Sequence, residues 1–388
     1  RRGPRPQGEP AGFGALPRRS KPREGALSSL EAELRREHAA SCEAAERTFI
    51  VASREPDDDD AGGSDARYSS GWHAHLAPAD AASPGNEPYG TDELLLRSRA
   101  PLLPPDECAE LIRRMEAHGA EHGWDGRYPI PGHTHEVKVS DMPGALALLN
   151  DRLGGGGLLR ACAEPFGLSP AELRVNEALV VKYDAASGHN ALPVHVDFSL
   201  LTLNAALSDQ ADYAGGGTWF EHTDEVIRSA CGEGLLHAGG LPHCGVPVSS
   251  GTRYVLVLFL LSTRVPMVGG RLQAIGAAAG AKPVLGGGAR APRDLELSCA
   301  CLERALALNP SDRESWSQLG HNKWHAGDLG GAERCFLEAV KRSGGRDFAA
   351  LRDCAAVQRA AGEPARALET ARAASALGPP PGPLRTAE

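Results

Sequence analysis

The sequence predicts an α+β fold: a double-sheet jelly roll with helices packed on one face, followed by an all-α region of helical repeats. Three observations predict it. Apolar residues recur at helical spacing from about residue 104 to 166, whereas from 175 to 262 they fall into short β-prone runs broken by Gly, Pro, Asp and Ser. Past a Gly/Ala-rich stretch the chain turns helical again, now with internal self-similarity. Leading helices, many short strands and a trailing helical array fit two stacked sheets with an appended repeat region.

The first 88 residues are expected to be largely disordered. Residues 1–26 are rich in Arg, Pro and Gly and bury little apolar surface. Residues 27–50 carry helix formers (Leu30, Leu34, Ala39, Ala44, Ala45) and mixed charges, which predicts one exposed surface or linker helix. Asp57-Asp58-Asp59-Asp60 followed by Ala61-Gly62-Gly63 reads as a solvated spacer, because four repelling charges and flexible glycines bury nothing. Arg1 in place of Met leads us to expect a fragment, in which any targeting signal would be missing.

Folded sequence resumes near Asp92. Pro104-Pro105-Asp106 opens an amphipathic helix through Cys108, Leu111, Ile112 and Met115. A second helix, over 145–153, stops at the glycines 154–157, and a third spans 158–166. Strands are expected over 175–183, 199–207, 218–221, 234–238 and 253–262. Residues 266–292 read as a Gly/Ala linker, with helical repeats over 293–381. Trp316, Leu319, Gly320, Gly327, Ala332, Phe336 and Ala339 follow the tetratricopeptide pattern, and Gly362, Ala367, Ala374 and Pro379 repeat its latter part. Leu302, Ala305 and Pro310 give the second half of an earlier unit whose first helix would fall in the linker, so that unit is expected to be incomplete.

Composition narrows the function classes. The formal net charge of −9 disfavours a nucleic-acid partner, and the longest apolar run, residues 254–261, is far too short to span a membrane. Nine cysteines without CxxC pairs do not resemble a secreted disulfide framework. They favour reduced thiols in an intracellular compartment, with cytoplasm and ER lumen both open.

The chemistry concentrates in four residues. His195 and Asp197 are two apart, which puts an imidazole and a carboxylate on one side of an extended segment. His243 and, ten residues later, Arg253 fit two adjacent strands joined by a turn. Two imidazoles and a carboxylate that leave open positions are the ligand set of non-heme Fe(II) oxygenases. A forked guanidinium nearby suits a carboxylate co-substrate. Taken alone, His195-Val196-Asp197 is as compatible with two solvent-facing strand residues; the company of His243 and Arg253 gives it weight.

Val181-Lys182-Tyr183-Asp184, His195-Val196-Asp197, Gly215-Gly216-Gly217-Thr218-Trp219-Phe220-Glu221 and His243 with Arg253 resemble the Fe(II)/2-oxoglutarate dioxygenase superfamily. Within it they are most similar to the prolyl 4-hydroxylase and procollagen-lysyl hydroxylase catalytic domain. The resemblance covers residues 89–265 and is dense over 175–262. It implies a double-stranded β-helix, Fe(II) on His195, Asp197 and His243, and 2-oxoglutarate with its distal carboxylate on Arg253. Ascorbate is a further candidate cofactor. It also implies a tyrosine hydroxyl reaching 2-oxoglutarate at Tyr183, where a core tyrosine is the equal alternative, and a pocket-lining Thr218. Many prolyl hydroxylases carry lysine where Arg253 stands; arginine keeps the charge and adds a bidentate fork. Phe259 faces the same way as Arg253, as a pocket wall or as plain core. The remaining histidines, His133, His135, His189 and His237, read as structural or surface residues.

The resemblance implies hydroxylation of a peptide or protein side chain, prolyl ahead of lysyl, with release of succinate and CO2. Asp197 argues against halogenation, since related halogenases replace this carboxylate with a small residue. Phe259 stands where nucleic-acid demethylases of the superfamily carry a second arginine. Two alternatives stay open: a small-molecule 2-oxoglutarate oxygenase, and a non-catalytic scaffold whose helical repeats bind a protein partner.

Overall fold

The computed structural model describes residues 24–49, 72–74, 94–124, 134–280 except 155, 156 and 222, and 294–377 except 311, 344 and 346. The expected disorder of 1–23, the Asp57–Asp60 spacer, His133 and the linker portion 281–293 lie outside them. Chain order begins with α1 (Glu24–Thr48), β1 (Trp72–Ala74), β2 (Leu95–Ser98), α2 (Pro105–His122) and β3 (His135–Lys138). Helices α3 (Pro143–Gly154) and α4 (Gly157–Ala163) follow, then β4 (Leu173–Asp184), β5 (Leu192–His195), β6 (Leu201–Ala206), β7 (Tyr213–Gly215) and β8 (Thr218–Phe220). Strands β9 (Glu225–Ile227), β10 (Gly234–Ala238), β11 (His243–Gly245) and β12 (Val248–Ser262) complete the sheets. The remainder is helical: α5 (Val268–Gly280), α6 (Leu295–Leu308), α7 (Arg313–His325), α8 (Leu329–Arg342), α9 (Phe348–Ala360) and α10 (Pro364–Leu377).

Two antiparallel sheets form. The larger runs β1-β2-β10-β6-β12-β4-β3 with β7 paired to β12, and the smaller runs β5-β11-β8-β9. Strand β4 shows how one sequence serves two faces. Ala178 and Val180 point to the side covered by α2, α3 and α4, where Leu111, Met115, Leu149, Leu153 and Leu159 are buried. Leu179, Val181 and Tyr183 point the other way, onto Val248 and Val255. Each buried leucine under the helices contributes about 1.5–3 kcal/mol by leaving water. This layering fixes register: a one-residue slip would turn the apolar set toward the site.

Two expectations change. The helix over 24–48 is docked rather than exposed. Leu34 packs with Val268, Leu272, Cys301 and Ala305; Glu31 accepts from Arg304 at 2.5 and 3.0 Å; and His38 Nε2 donates to the Ser262 carbonyl at 2.8 Å. One helix therefore touches both the large sheet and the helical region. The stretch read as a linker also carries α5. Small residues permit this, because a Cβ on Gly276 would lie 2.9 Å from Leu302, so glycine lets α5 and α6 approach closely. The first helical pair is thus complete. The pairs α5/α6, α7/α8 and α9/α10 stack through Leu302, Leu319 and Cys335, then through Ala332, Phe336, Cys354 and Val357. All nine cysteines are free thiols, and no helix among the described residues is long and apolar enough to cross a membrane.

Candidate active site

His195 ends β5 and His243 begins β11; the strands pair antiparallel with these two residues opposite each other. Their rings lie 4.4 Å apart. Asp197 is drawn back to them because its amide donates to the Gly239 carbonyl at 2.8 Å. Its Oδ1 is then 3.5 Å from His195 Nε2 and its Oδ2 3.7 Å from His243 Nε2. Candidate ligand atoms of all three residues fall within 4.8 Å of one another, the one such cluster among the described residues. Asp197 and His243 are buried and His195 is half-exposed, so the cluster opens toward the surface beside His195.

The surroundings point these groups at a cation. Nδ1 of His195 lies 2.8 Å from the Pro193 carbonyl, and Nδ1 of His243 lies 2.8 Å from the Leu241 carbonyl. A carbonyl only accepts, so both Nδ1 atoms carry a hydrogen and Nε2 is the atom each ring can offer a cation. Thr202 donates to Asp197 Oδ2 at 2.6 Å and is itself 2.8 Å from the Ser199 hydroxyl. Burial raises the Asp197 carboxyl, but His195, the other two histidines and Thr202 outweigh it and hold it well below the usual carboxylate range. Burial and the neighbouring His237 push His243 down to about 3 against the pull of Asp197. Burial also opposes charge on His195, yet its bond to Asp197 leaves it above its ordinary value. Carboxylate and neutral imidazole are the forms that bind metal; of the three groups only His195 has its protonated form favoured over the ordinary value.

Arg253 stands opposite Tyr183 on β12 and is buried. Its Nη2 donates to Thr218 Oγ1 at 3.4 Å, and its guanidinium lies 4.8 Å from the centre of the Tyr183 ring. Nη1 is buried with no hydrogen-bond partner among the described residues. A buried donor left unpaired is costly, and a ligand carboxylate would satisfy it. Register gives the spacing: His243 faces Phe220 and Gly245 faces Thr218. Two strand residues, about 7 Å, separate the histidine end from the guanidinium end, which suits a short dicarboxylate. The glycines before Thr218 serve as a tight turn, with φ of 74°, 63° and 108° at Gly215, Gly216 and Gly217. Phe259 packs among Leu179, Val181 and Val255 on the same face as Arg253.

Some residues of the site carried no local signal. Phe220 stacks on His243 at 5.4 Å. His237, read as merely structural, is buried 4.6 Å from the His243 ring, with Nε2 3.9 Å from Asp197 Oδ2. Its Nδ1 lies 3.0 Å from the Ala238 carbonyl and its Nε2 accepts from Asn204 at 3.2 Å, so neither nitrogen is left for a metal. Only the β10–β6 register, which sets His237 beside Thr202, brings it here. His135 is half-buried rather than on the open surface; it stacks on Trp124 at 4.9 Å and lies tilted against His189 at 4.2 Å. Burial pushes the Cys244 thiol up to about 11, which makes it unreactive.

No family model matches the chain. Among curated proteins it is 35% identical over 172 residues to the multifunctional procollagen lysine hydroxylase and glycosyltransferase LH3 of Homo sapiens, covering 41% of this chain and 23% of that protein. It is 39% identical over 180 residues to procollagen-lysine,2-oxoglutarate 5-dioxygenase 1 of Mus musculus, again 41% and 23% of the two chains. A third relative, the 2-oxoglutarate and iron-dependent oxygenase domain-containing protein 2 of Danio rerio, is 34% identical over 110 residues, 25% of this chain and 31% of that one. The match thus spans less than a third of each of these relatives. The His195, Asp197 and His243 cluster, with the buried Arg253 bonded to Thr218 on the strand facing His243, lies in the sheet-bearing part of a chain that is similar to Fe(II)- and 2-oxoglutarate-dependent oxygenases.

Proposed function

We propose that this protein is a 2-oxoglutarate-dependent dioxygenase that hydroxylates a side chain of a peptide or protein and releases succinate and CO2. The observation that carries the reading is the convergence of His195, Asp197 and His243 within 4.8 Å, each Nδ1 committed to a backbone carbonyl, beside the unpaired Nη1 of Arg253. Iron(II) and 2-oxoglutarate are the cofactor and co-substrate of this superfamily. Bound here, they would supply oxygen activation driven by oxidative decarboxylation.

The chain's own residues position and exclude. His195, Asp197 and His243 hold one face of the cation and leave the other open. Arg253 and Thr218 grip the distal carboxylate, with Tyr183 under the guanidinium keeping water from it. The relatives' names favour a lysyl side chain over the prolyl one that the sequence put first. The two sheets form a double-stranded β-helix in this reading, and the helical pairs are tetratricopeptide-like repeats, beginning at α5, that offer a surface to a protein partner. An inactive scaffold would have no need of an intact ligand set.

The test is succinate release with Fe(II), 2-oxoglutarate, ascorbate and candidate peptides, followed by mass spectrometry for a gain of about 16 Da, one oxygen atom. His195→Ala is expected to abolish both signals. Full turnover by that variant would overturn the assignment.

A further inference from the structure

Strand β5 is the edge of the smaller sheet and ends on His195. The orientation of its backbone follows from the bonds on the far side of β11. The Glu221 amide donates to the Pro242 carbonyl and the Val246 amide to the Gly217 carbonyl, both at 3.0 Å. Pro242, Cys244 and Val246 therefore turn their backbone groups toward β8. His243 turns its own toward β5, where it faces His195. By the same alternation Val194 and Val196 present their amides and carbonyls outward, away from β11. Among the described residues no strand lies on that side of β5, and no backbone bond beyond the β5–β11 ladder reaches Val194 or Val196.

The side chains along this edge are apolar and open. Among the described residues from 94 to 265, the exposed large hydrophobic ones are Val194, Val196 and Phe198, at 48%, 38% and 55%. They alternate with His195 and Asp197 and so stand on the opposite face from the candidate ligands. From Ala191 to Val196 there is no Lys, Asp or Glu, the charges that usually guard an open edge against pairing. Pro193 falls in the bulge where the β5–β11 register shifts, so the regular edge starts at Val194. An unpaired, uncharged, apolar edge is a template for another strand.

We propose that β5 receives the substrate polypeptide as an added antiparallel strand, with the residue to be hydroxylated opposite His195 and an apolar residue bearing an N–H on either side of it. This rests on the peptide-hydroxylase reading and names the sequence context of the target. An added strand lies about 4.8 Å from the edge, so the residue facing His195 has its side chain on the ligand face, where the cluster opens. Its two neighbours face Val194 and Val196, bond to their backbones and cover their side chains. The target's own amide points away from β5 in this register. A lysyl and a prolyl target are therefore both accommodated, whereas proline on either flank is not.

The experiment measures peptide affinity rather than turnover. Full-length protein loaded with Mn(II) and 2-oxoglutarate is titrated calorimetrically with a peptide whose central lysine lies between two valines. Matched peptides carry glycine in place of both valines, N-methyl groups on the two flanking amides, or one N-methyl group on the central lysine amide. The valine-flanked peptide is expected to bind about tenfold more tightly than the glycine-flanked one. N-methylation of the flanks should weaken binding about 10- to 100-fold, and N-methylation of the central amide less than about threefold. Val194→Ser should narrow the gap between valine and glycine flanks; the N-methyl series needs no variant. Equal affinity for both flanks, N-methylated flanks bound as tightly as the parent, or no binding of any peptide would each overturn the proposal. So would sedimentation that shows a dimer dissociated by Val194→Ser but not by the peptide, since a second copy would then own the edge. Failure of the unaltered protein to bind Mn(II) or 2-oxoglutarate would instead refute the oxygenase reading, and this inference with it.

Discussion

Arg313, the first residue of α7, donates to Glu221, the residue directly after Phe220 at the end of β8. Its other terminal nitrogen lies 3.5 Å from Asp347, the N-cap of α9. One guanidinium thus ties two helices of the C-terminal helical region to the strand whose phenylalanine stacks on His243. Arg313→Leu leaves two carboxylates facing each other and should cost about 1–3 kcal/mol of stability. A thermal-melt cycle of Arg313→Leu and Glu221→Gln is expected to show coupling of about 1 kcal/mol. Coupling near zero would mean that packing alone holds the helical region in place.

The Arg253 guanidinium predicts a selective defect. Arg253→Ala should raise KM for 2-oxoglutarate about 100-fold, and Arg253→Lys about tenfold, because lysine keeps the charge but loses the fork. Metal affinity, read by Mn(II) titration without co-substrate, should stay within about twofold of the unaltered protein. A matched fall in metal affinity would show that Arg253 supports the fold of the site rather than its ligand.

Thr202 tests the polar shell around the cluster. Its bond to Asp197 orients one carboxylate oxygen and leaves the other to the cation. Thr202→Val, similar in shape, should weaken Mn(II) binding about 10- to 100-fold. An unchanged affinity would make the 2.6 Å contact incidental.

The candidate ligand residues stand out in sequence because chemistry and spacing are local at each piece: His195 with Asp197, and His243 with Arg253. That the pieces meet was carried by the family resemblance alone, since the β5–β11 pairing joins segments 48 residues apart at His195 and His243 and no local pattern encodes it. Thr202 and the position of His237 beside the cluster carried no signal for the same reason; each reaches it from a neighbouring strand. Among the helices, α2 announced itself through Pro105 and its apolar spacing. The glycines of α5 hid it, because their role is close approach to α6 rather than helix propensity. The docking of α1 was likewise concealed: its buried residues include the small Cys42 and Ala45, and its mixed charges are consumed in pairs with Arg174, Arg271 and Arg304.

That docking predicts a stability defect far from the site. Leu34 is buried between α5 and α6, so Leu34→Ala should cost about 2–3 kcal/mol through lost burial and a cavity. Denaturant unfolding of the whole chain measures it. Glu31→Gln, which breaks the partly exposed pair with Arg304, should cost less than about 1 kcal/mol. A larger loss from Glu31→Gln than from Leu34→Ala would mean that charge, not packing, seats the helix.

The protonation states fix how metal binding depends on pH. The His195 pKa is raised above its ordinary 6.5 by Asp197, so its charged pair stabilises the metal-free protein fully below 6.5 and less as pH climbs through the raised value. Asp197 is lowered, so its contribution is present above 3.8 and fades only as pH falls through its folded value. A cation on His195 Nε2 must expel that proton. Mn(II) affinity should therefore be flat above the folded pKa of His195 and fall about tenfold per pH unit below it, one proton per metal, in titrations from about pH 8 to 5.5. His243, neutral down to about 3, adds no proton in this window. His195→Ala should bind metal far more weakly and lose the slope; an unaltered protein whose affinity ignores pH would show that His195 does not hold the metal.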